Sequence, residues 1–377
     1  MLKSITLQNF KSFGEKQTVP LQPITVLVGS NNSGKSNFLS LGTFVYNSVV
    51  GGFRDALDAE GGADFLFHRP SFGDGRLTIE YEHEIGRYTS TLRKDSSGTT
   101  ILQEAERFTV HPSQELWTKD EQGRKFVFKG SSLSVDASRP FAGLSGITDP
   151  ELPESVALEG SEMWVSIASS TVIKLSLEAL RQDSEVIPEP KLGPDGSGMA
   201  AVLALWRGAE PEKSEQLDKF LSECMPSVKH ALVKPAPKPS FQRLWIQQAD
   251  KELFDARHIS DGALFFIGLA MQIIAVEEGS TVFIEEPEQS IHPRKLSDIV
   301  NLLRRVVEER GCQFVIATHS PVLLNEFRDE PEAIVLFCRG ENGTRVKPLS
   351  GIPELKDALA KSDPGAMFAD GFFNHPF

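Results

Sequence analysis

Short apolar runs rich in β-branched residues mark the buried strands of this chain. The clearest are ITVLV at residues 24–28, TVFI at 281–284, QFVIA at 313–317 and AIVLF at 333–337. Uninterrupted apolar runs of this length are typical of strands that are buried on both faces of a sheet. From residue 77 to about residue 135 apolar and polar positions alternate instead, with turn signals such as DSSG between the runs, which predicts an antiparallel meander.

Apolar residues at helical spacing fill the intervals between these strands. They follow residue 35, dominate residues 155–225 and recur at 294–310. Strands that alternate with helices predict a mostly parallel sheet. The predicted fold class is therefore α/β, with an antiparallel β meander and a helical lobe added to the core sheet. The sequence has no long heptad region that would form a coiled-coil arm.

The same patterns divide the chain into three predicted parts. Residues 1–150 form an N-terminal lobe that includes the meander, residues 151–250 form the helical lobe, and residues 251–377 form a C-terminal α/β lobe. The segment KPAPKPSFQR at residues 234–243 is proline-rich and basic. This composition favours a solvated connector over a phosphate-binding segment.

The charge balance of the 377-residue chain limits the kinds of partner that it is expected to bind. With 39 basic and 52 acidic residues, the net charge is −13, which argues against a broad basic face but leaves room for a local basic groove or a protein partner. The three cysteines are scattered, so neither a zinc site nor a disulfide framework is expected. The start has no signal-peptide core, and the longest apolar run, at 265–276, is too short for a bilayer. We expect a cytoplasmic protein without membrane contact.

The stretch GSNNSGKSN at residues 29–37 matches the phosphate-binding pattern G-x-x-x-x-G-K-[ST]. Its context supports the match, because a predicted strand precedes it and a predicted helix follows it. The glycines allow backbone N–H groups to turn toward phosphate oxygens at a helix N-terminus. Lys35 is predicted to reach the β- and γ-phosphates, and the Ser36 hydroxyl is predicted to ligate Mg²⁺.

Two further strand ends supply candidates for hydrolysis. The run TVFIEE ends in Glu285 and Glu286, and acids at the carboxyl end of a strand face the ligand crevice of an open α/β sheet. Glu285 is predicted to hold Mg²⁺ and Glu286 to act as the general base. In VIATHSP, His319 follows another strand and is predicted to hydrogen-bond the γ-phosphate or the attacking water. The alternatives are a surface acidic cluster and an ordinary structural histidine.

Ser260, Asp261 and Gly262 stand directly before an apolar helix. A serine hydroxyl and a glycine N–H at a helix start can bind an anion. Because one ATP already has its loop at residues 29–37, the second anion site suggests the nucleotide of another subunit. Plain helix capping is the alternative.

Taken in order, GSNNSGKSN, SDG, FIEEPEQSIHP and IATHSP resemble the motifs of ABC-class ATPase heads of the RecF, SMC and OLD-like group. The likeness is greatest to stand-alone bacterial proteins called AAA family ATPases. The opening ITLQNFKSFGE is similar to the first strand pair of that group, and the resemblance covers nearly the whole chain. It implies an ABC-ATPase head that uses ATP and Mg²⁺.

The resemblance also implies roles for individual residues. The phosphate loop, called Walker A, contains Gly29, Asn31, Asn32, Ser33, Gly34, Lys35, Ser36 and Asn37. The signature that contacts ATP in trans is Ser260 and Gly262, the Walker B pair is Glu285 and Glu286, the D-loop is 290–292, and the switch histidine is His319. Lys35, Glu286 and His319 are the implied catalytic residues, and Ser36 and Glu285 are the implied metal ligands. Lys11 is expected to approach the nucleotide from the opening strands.

Three positions depart from the pattern of the group. The signature is SDG rather than SGG, and Glu285 replaces the commoner aspartate. No Q-loop glutamine is evident, and His68 of FLFHRP stands where one is expected, which leaves that metal-side ligand unassigned.

The resemblance implies a homodimer that sandwiches ATP between two heads, with higher oligomers open. Our first hypothesis is the ATPase and sensor subunit of an antiphage defence system that controls a separate, nuclease-like effector. One alternative is a RecF-like DNA-repair clamp, which would bind DNA through basic candidates at Arg294, Lys295, Arg304 and Arg305. Another is a scaffold that hydrolyses ATP slowly and acts by assembly. The trigger, the effector chemistry and the oligomeric state do not follow from the sequence.

Overall fold

The computed structural model describes residues 1–94, 101–110, 114–120, 123–128, 131–133, 154–352 and 362–373. The chain forms two compact units. The first contains Met1–Thr171, Glu278–Phe283 and Gly311–Phe377, and the second contains Val172–Glu277 and Ile284–Arg310. The three-part division of the sequence stays a prediction, and its first boundary lies outside the described residues.

The strands are β1 (Leu2–Gln8), β2 (Gln17–Pro20), β3 (Ile24–Val28), β4 (Leu77–His83), β5 (Gly86–Lys94), β6 (Ile101–Val110), β7 (Gln114–Asp120), β8 (Gly123–Phe128), β9 (Ser131–Leu133), β10 (Thr171–Ile173), β11 (Ser184–Glu185), β12 (Val228–Pro235), β13 (Phe241–Gln248), β14 (Leu253–Asp255), β15 (Thr281–Glu285), β16 (Gln313–Ala317), β17 (Ile334–Gly340) and β18 (Gly343–Pro348). The α-helices are α1 (Lys35–Val50), α2 (Phe53–Ala59), α3 (Ala63–Leu66), α4 (Glu154–Ala168), α5 (Leu177–Leu180), α6 (Met199–Ala209), α7 (Pro211–Cys224), α8 (Asp261–Ile274), α9 (Leu296–Arg310), α10 (Pro321–Asn325) and α11 (Pro364–Ala369). Short 3₁₀ turns lie at Pro293–Lys295, Pro331–Ala333 and Leu349–Gly351.

An antiparallel sheet of eight strands occupies the first unit, in the order β2-β1-β4-β5-β6-β7-β8-β9. Along β4 buried and half-buried residues alternate, so one face of the strand packs on the core and the other faces outward. The predicted meander is confirmed as far as Leu133, and residues 134 and 135 lie outside the described residues.

A second sheet has six strands in the order β10-β15-β16-β3-β17-β18. Its strand β3 is buried throughout and pairs in parallel with both β16 and β17, whereas β18 pairs antiparallel with β17. The α/β class with a mostly parallel core and an antiparallel meander is therefore confirmed. Within the described ranges the longest helix is α1, with 16 residues. No helix in that part of the chain is long and apolar enough to cross a membrane.

The second unit is organised around α8, in which every residue from Leu264 to Ile274 is buried. The Phe266 ring of α8 stacks on Phe220 of α7, with ring centroids 5.3 Å apart. A helix that is apolar all round must be enclosed by other elements. This explains why the run at 265–276 is apolar without spanning a membrane.

The segment at residues 234–243 differs from its prediction as a connector. It is the tip of a β-hairpin, in which β12 and β13 pair antiparallel and Lys234 lies opposite Arg243. The prolines fall at the end of β12 and in the turn, where the absence of an N–H group costs no ladder hydrogen bond. The proline-rich composition therefore marked the turn, while the strand signal lay in the apolar residues on either side.

The buried His83 at the end of β4 predicts a specific pH dependence of stability. Its imidazole is 2% exposed, its Nδ1 accepts a hydrogen bond from the Ile85 N–H, and burial lowers its pKa from 6.5 to about 4. Because the pKa of His83 is lower in the folded protein, the unfolded chain binds a proton more readily between pH 6.5 and 4. The free energy of unfolding is therefore highest above pH 6.5 and falls as the pH falls toward 4. We expect the free energy of unfolding to fall over this interval by up to about 3 kcal/mol more in the wild type than in His83→Asn. Urea unfolding at several pH values measures this, and parallel profiles for the two proteins would contradict it.

Candidate functional site

The loop at residues 29–37 leaves the buried strand β3 and enters α1 directly. Gly34 is the N-cap of α1 with a φ of 107°, a left-handed conformation that glycine adopts readily. Asn32 also has a positive φ, of 65°, which asparagine tolerates better than most residues. This geometry gathers the backbone N–H groups of the loop near the start of α1, as an anion site requires. The predicted order of strand, loop and helix is present.

Lys35 is buried within this loop. Its side chain is folded back, and its ammonium donates to the carbonyl oxygens of Gly29 at 2.8 Å and Ser30 at 3.1 Å. The Ser33 hydroxyl is buried without a hydrogen-bond partner among the described residues. A buried cation beside an unsatisfied hydroxyl is a chemically suitable environment for phosphate oxygens.

A threonine of β18 stabilises the phosphate loop through a hydrogen bond. Thr344, on β18, donates from its Oγ1 to the Ser33 carbonyl oxygen at 2.9 Å and shares a hydrogen bond of 2.8 Å with the Ser12 hydroxyl. A Cβ atom at Gly34 would collide with Thr344 and approach Ser12, so the glycine is required by packing as well as by its φ. No local sequence pattern indicates this contact, because Thr344 and Ser33 are 311 residues apart.

A cavity of about 520 Å³ adjoins the loop within the first unit. Its walls include Lys11, Asn32, Asn37, Glu60, His68 and Arg69. The Lys11 ammonium contacts Glu60 at 2.5 Å and the Ser40 hydroxyl of α1 at 2.7 Å. His68 is fixed by its Nδ1, which lies 2.8 Å from the Lys11 carbonyl oxygen. Lys11 and His68 thus line one cavity with Asn32 and Asn37 of the phosphate loop.

His319 lies just beyond the end of β16. Strand β16 runs parallel to β3 with Ala317 opposite Leu27, so His319 and the phosphate loop follow the carboxyl ends of adjacent strands. His319 is half-buried, and its ring centroid is 6.4 Å from that of Phe368. Its neighbour Ser320 caps α10 by accepting a hydrogen bond from the Leu323 N–H.

Glu285 ends β15, and its carboxylate is 14% exposed. It forms an ion pair of 2.8 Å with Lys174, whose side chain is 70% exposed. Because a flexible, exposed lysine forms only a weak pair, it can yield the carboxylate to a divalent cation at little cost. The ion pair with Lys174 orients the Glu285 carboxylate at the end of β15.

Glu286 is exposed and has a φ of 49°. The left-handed conformation is uncommon and strained for a glutamate, and such strain is often found at functional positions. Its carbonyl oxygen accepts a hydrogen bond from the Gln289 N–H, which closes a turn directly after the strand. The turn redirects the chain away from the strand axis at the predicted general base.

Ser260 and Gly262 stand at the first turn of α8. The Ser260 hydroxyl is exposed and makes no capping hydrogen bond to its own helix. Gly262 packs on the carbonyl oxygen of Ser290, which a Cβ atom would approach to 2.6 Å. Ser290 itself has a positive φ of 60°. The signature and the predicted D-loop are thus in direct contact within the second unit.

The predicted site residues are distributed over both units. The first unit contains the phosphate loop and His319, which follow neighbouring parallel strands. The second unit contains the signature and the two glutamates. Thr344, Ser12, Ser40, Glu60 and Lys174 are contacts that the sequence reasoning missed.

Two family models match the chain. Residues 1–122, which include the phosphate loop, match the model described as "AAA ATPase domain". Residues 178–325, which include the signature, both glutamates and His319, match the model described as "AAA domain, putative AbiEii toxin, Type IV TA system".

Phage proteins are among the similar curated sequences. The chain is 22% identical to the Old nuclease of Escherichia phage P2 over 368 residues, which cover 91% of this chain and 60% of that protein. It is 34% identical to protein ea59 of Escherichia phage lambda over 86 residues, 23% of this chain and 16% of that one. The chain thus spans about 60% of the length of the Old nuclease.

A solved structure of an Smc head domain has a similar fold. A crystal structure of the Smc head bound to the C-terminal winged-helix domain of ScpA aligns with a TM-score of 0.52 at 12% sequence identity. The alignment covers 92% of this chain and 97% of that one. At this identity the likeness establishes the fold.

The Thr344 contact predicts an effect on nucleotide affinity. Thr344→Val keeps the shape of the side chain but removes the hydrogen bond to the Ser33 carbonyl, so the loop loses one of its supports. We expect ATP to bind roughly fivefold more weakly, which corresponds to about 1 kcal/mol for one hydrogen bond. Titration with a fluorescent ATP analogue measures the affinity.

Thr344→Ser is the matched control, since it retains the hydroxyl, and it should bind ATP nearly as well as the wild type. Equal affinity for the valine variant and the wild type would show that the loop does not depend on Thr344.

Proposed function

We propose that this chain, an ATPase of the ABC class with SMC-like and OLD-like relatives, is a switch in which two copies close head to head on ATP. The observation that carries the proposal is the start of α8. Ser260 presents an exposed hydroxyl that does not cap its own helix, while Gly262 is fixed against Ser290. An exposed hydroxyl at a helix start can hydrogen-bond a phosphate of a nucleotide held by a second copy, as a site shared between two heads requires.

Each predicted residue then has a role set by its chemistry. The loop at 29–37 grips the phosphates through its backbone N–H groups and Lys35. The Ser36 hydroxyl and the Glu285 carboxylate are hard oxygen donors and fit a magnesium ion. The chemistry that Mg²⁺ supplies when bound is neutralisation of charge on the β- and γ-phosphates.

Glu286 is assigned the role of general base, and His319 the role of hydrogen-bond donor to the γ-phosphate. An exposed carboxylate on a fixed turn can accept a proton from water as it attacks phosphorus. His319 follows the strand beside that of the phosphate loop, which supports its contact with the same nucleotide. Hydrolysis would separate the heads, because the shared γ-phosphate no longer joins them.

The biological role that we propose is antiphage defence. The support comes from the family model described as a putative AbiEii toxin and from the likeness to a phage protein named a nuclease. The effector that we propose is a separate, nuclease-like chain under the control of this ATPase. The alternative of a DNA clamp gains no support from Lys295, because its ammonium is occupied by the Cys224 carbonyl and Asp298.

Replacement of the general base tests the hydrolysis mechanism and separates a switch from a pure scaffold. Glu286→Gln should reduce the steady-state ATPase rate at least about 100-fold, because proton transfer by a positioned side chain contributes that much. ATP affinity should change little, since the substitution is nearly isosteric. Phosphate release measures turnover.

Glu278→Gln is the matched control, because Glu278 is an exposed glutamate just before β15. It should hydrolyse ATP at the wild-type rate. A Glu286→Gln rate equal to that of the control would refute the assignment of the base.

The defence role is tested in bacteria that carry the gene with its flanking genes. We expect plaque formation by a panel of phages to drop, and Lys35→Ala to restore it, because the switch cannot close without bound phosphate. Lys35→Ala must accumulate to the wild-type level for the comparison to hold. Protection that survives Lys35→Ala, or the absence of protection against every phage, would count against the role.

A further inference from the structure

Arg243 joins three segments of the second unit through buried ion pairs. From β13, its Nε and Nη2 donate to the two carboxylate oxygens of Asp183, at 2.6 and 2.8 Å. Its Nη1 donates to Asp255, the last residue of β14, at 3.0 Å. The side chains of Arg243, Asp183 and Asp255 are only 10%, 15% and 8% exposed. The planar guanidinium therefore holds the segment after α5 and the end of β14 in one fixed geometry.

Asp255 extends this network into the loop that leads to α8. Its carboxylate accepts a hydrogen bond from the Arg257 backbone N–H at 3.0 Å and lies 2.7 Å from the His258 Nδ1. Its carbonyl oxygen accepts a hydrogen bond from the His258 N–H. Arg257 also donates from its side chain to Asp183 at 3.1 Å. These contacts hold the loop in place as far as His258, two residues before Ser260.

The electrostatics of the network agree with its geometry. The hydrogen bond from Arg243 is the main cause that holds the pKa of Asp183 below its ordinary value. Burial acts to raise the pKa of Asp255, but the hydrogen bonds from His258 and Arg243 outweigh it and the pKa is lowered. Both carboxylates are therefore ionised at neutral pH, and the network is intact there.

Ser260 is held from its other side as well. Asp261 forms an ion pair of 2.5 Å with Arg181, and Gly262 lies against the Ser290 carbonyl. Between these anchors the Ser260 hydroxyl is exposed. Its position is consequently set by the network before it and by the contacts after it.

Stability alone does not account for a buried network of this kind. A buried ion pair gains little over apolar packing, because the charges must first lose their water. The sheet is already held by backbone pairing of β13 with β11, β12 and β14. What the network adds is a defined path for the loop between Asp255 and Ser260.

We propose that Arg243 is a positioning residue for the ATP-driven association of two heads. By fixing Asp255 it places Ser260 and Gly262 to contact the nucleotide held by a second copy of the chain. This inference rests on the proposed function, because it assigns Arg243 to the signature side of the shared site. Because the phosphate loop belongs to the first unit, we expect Arg243 to have no direct effect on ATP binding by that loop.

The test is made in the Glu286→Gln variant of the chain, which is expected to keep bound ATP unhydrolysed. At a chain concentration low enough to keep both proteins monomeric, Arg243→Met is expected to bind a fluorescent ATP analogue within about twofold of the parent. At higher concentration it is expected to weaken the ATP-dependent dimer at least about tenfold, as expected for a displaced contact. Sedimentation equilibrium with ATP and Mg²⁺ measures the dimer. Arg243→Lys should recover part of the loss, because lysine can pair with one carboxylate but lacks the fork.

Arg207→Met is the matched control. Arg207, on α6, forms an ion pair at 2.7 Å with Asp218 of α7 in the same unit. It should lower the unfolding temperature without weakening the dimer.

The outcomes separate the two proposals. A parent that doubles its mass on ATP together with an Arg243→Met variant that does so equally well overturns only the role of Arg243. A parallel loss of ATP affinity, or an equal loss of dimer in Arg207→Met, overturns it too, because the effect would then be general destabilisation. A parent that stays monomeric in ATP refutes the proposed function, and the role of Arg243 falls with it.

Discussion

The parallel pairing of β3 on both of its edges is the constraint on which the first unit depends. Strand β3 is buried along its length and hydrogen-bonded to β16 and β17, so the chain must leave the sheet at Gly29. A Cβ atom at Gly29 would collide with the Phe337 carbonyl of β17, which ties the loop closely to the sheet. The same pairing brings His319, which follows β16, to the edge where the loop emerges. The same backbone hydrogen bonds therefore determine where the phosphate loop and His319 leave the sheet.

In the second unit, the positions of the predicted site residues are set by loop conformations and by side-chain contacts. Glu286 and Ser290 both adopt left-handed backbone conformations, and Gly262 packs on the carbonyl oxygen of Ser290. The Arg243 network fixes the other approach to Ser260. Rigid placement matters because a contact across two chains loses strength quickly when one partner is misplaced. The switch that we propose would need this rigidity at the signature, where it contacts the γ-phosphate held by the second chain.

The sequence predicted the local features of the fold better than its long-range contacts. The strand, loop and helix around Lys35 follow from apolar runs and glycines within a short window, and so do the strand ends at Glu285 and His319. The hairpin at 228–248 was obscured because the prolines of its turn dominated the composition. Thr344, Glu60 and Arg243 carry no local signal, since each contacts a residue distant in the chain: Ser33, Lys11 and Asp183 respectively. Such contacts depend on which strands become neighbours, and a single sequence does not specify this.

The central claim is that each ATP is shared by the phosphate loop of one chain and the signature of another. Mixing Lys35→Ala with Ser260→Arg chains and measuring the ATPase rate tests it most directly. In a mixed dimer one site combines an intact loop with an intact signature, so random mixing should restore roughly a quarter of the wild-type rate. Each variant alone should be nearly inactive, and so should a chain that carries both substitutions. A mixture no more active than its separate components would contradict the shared site.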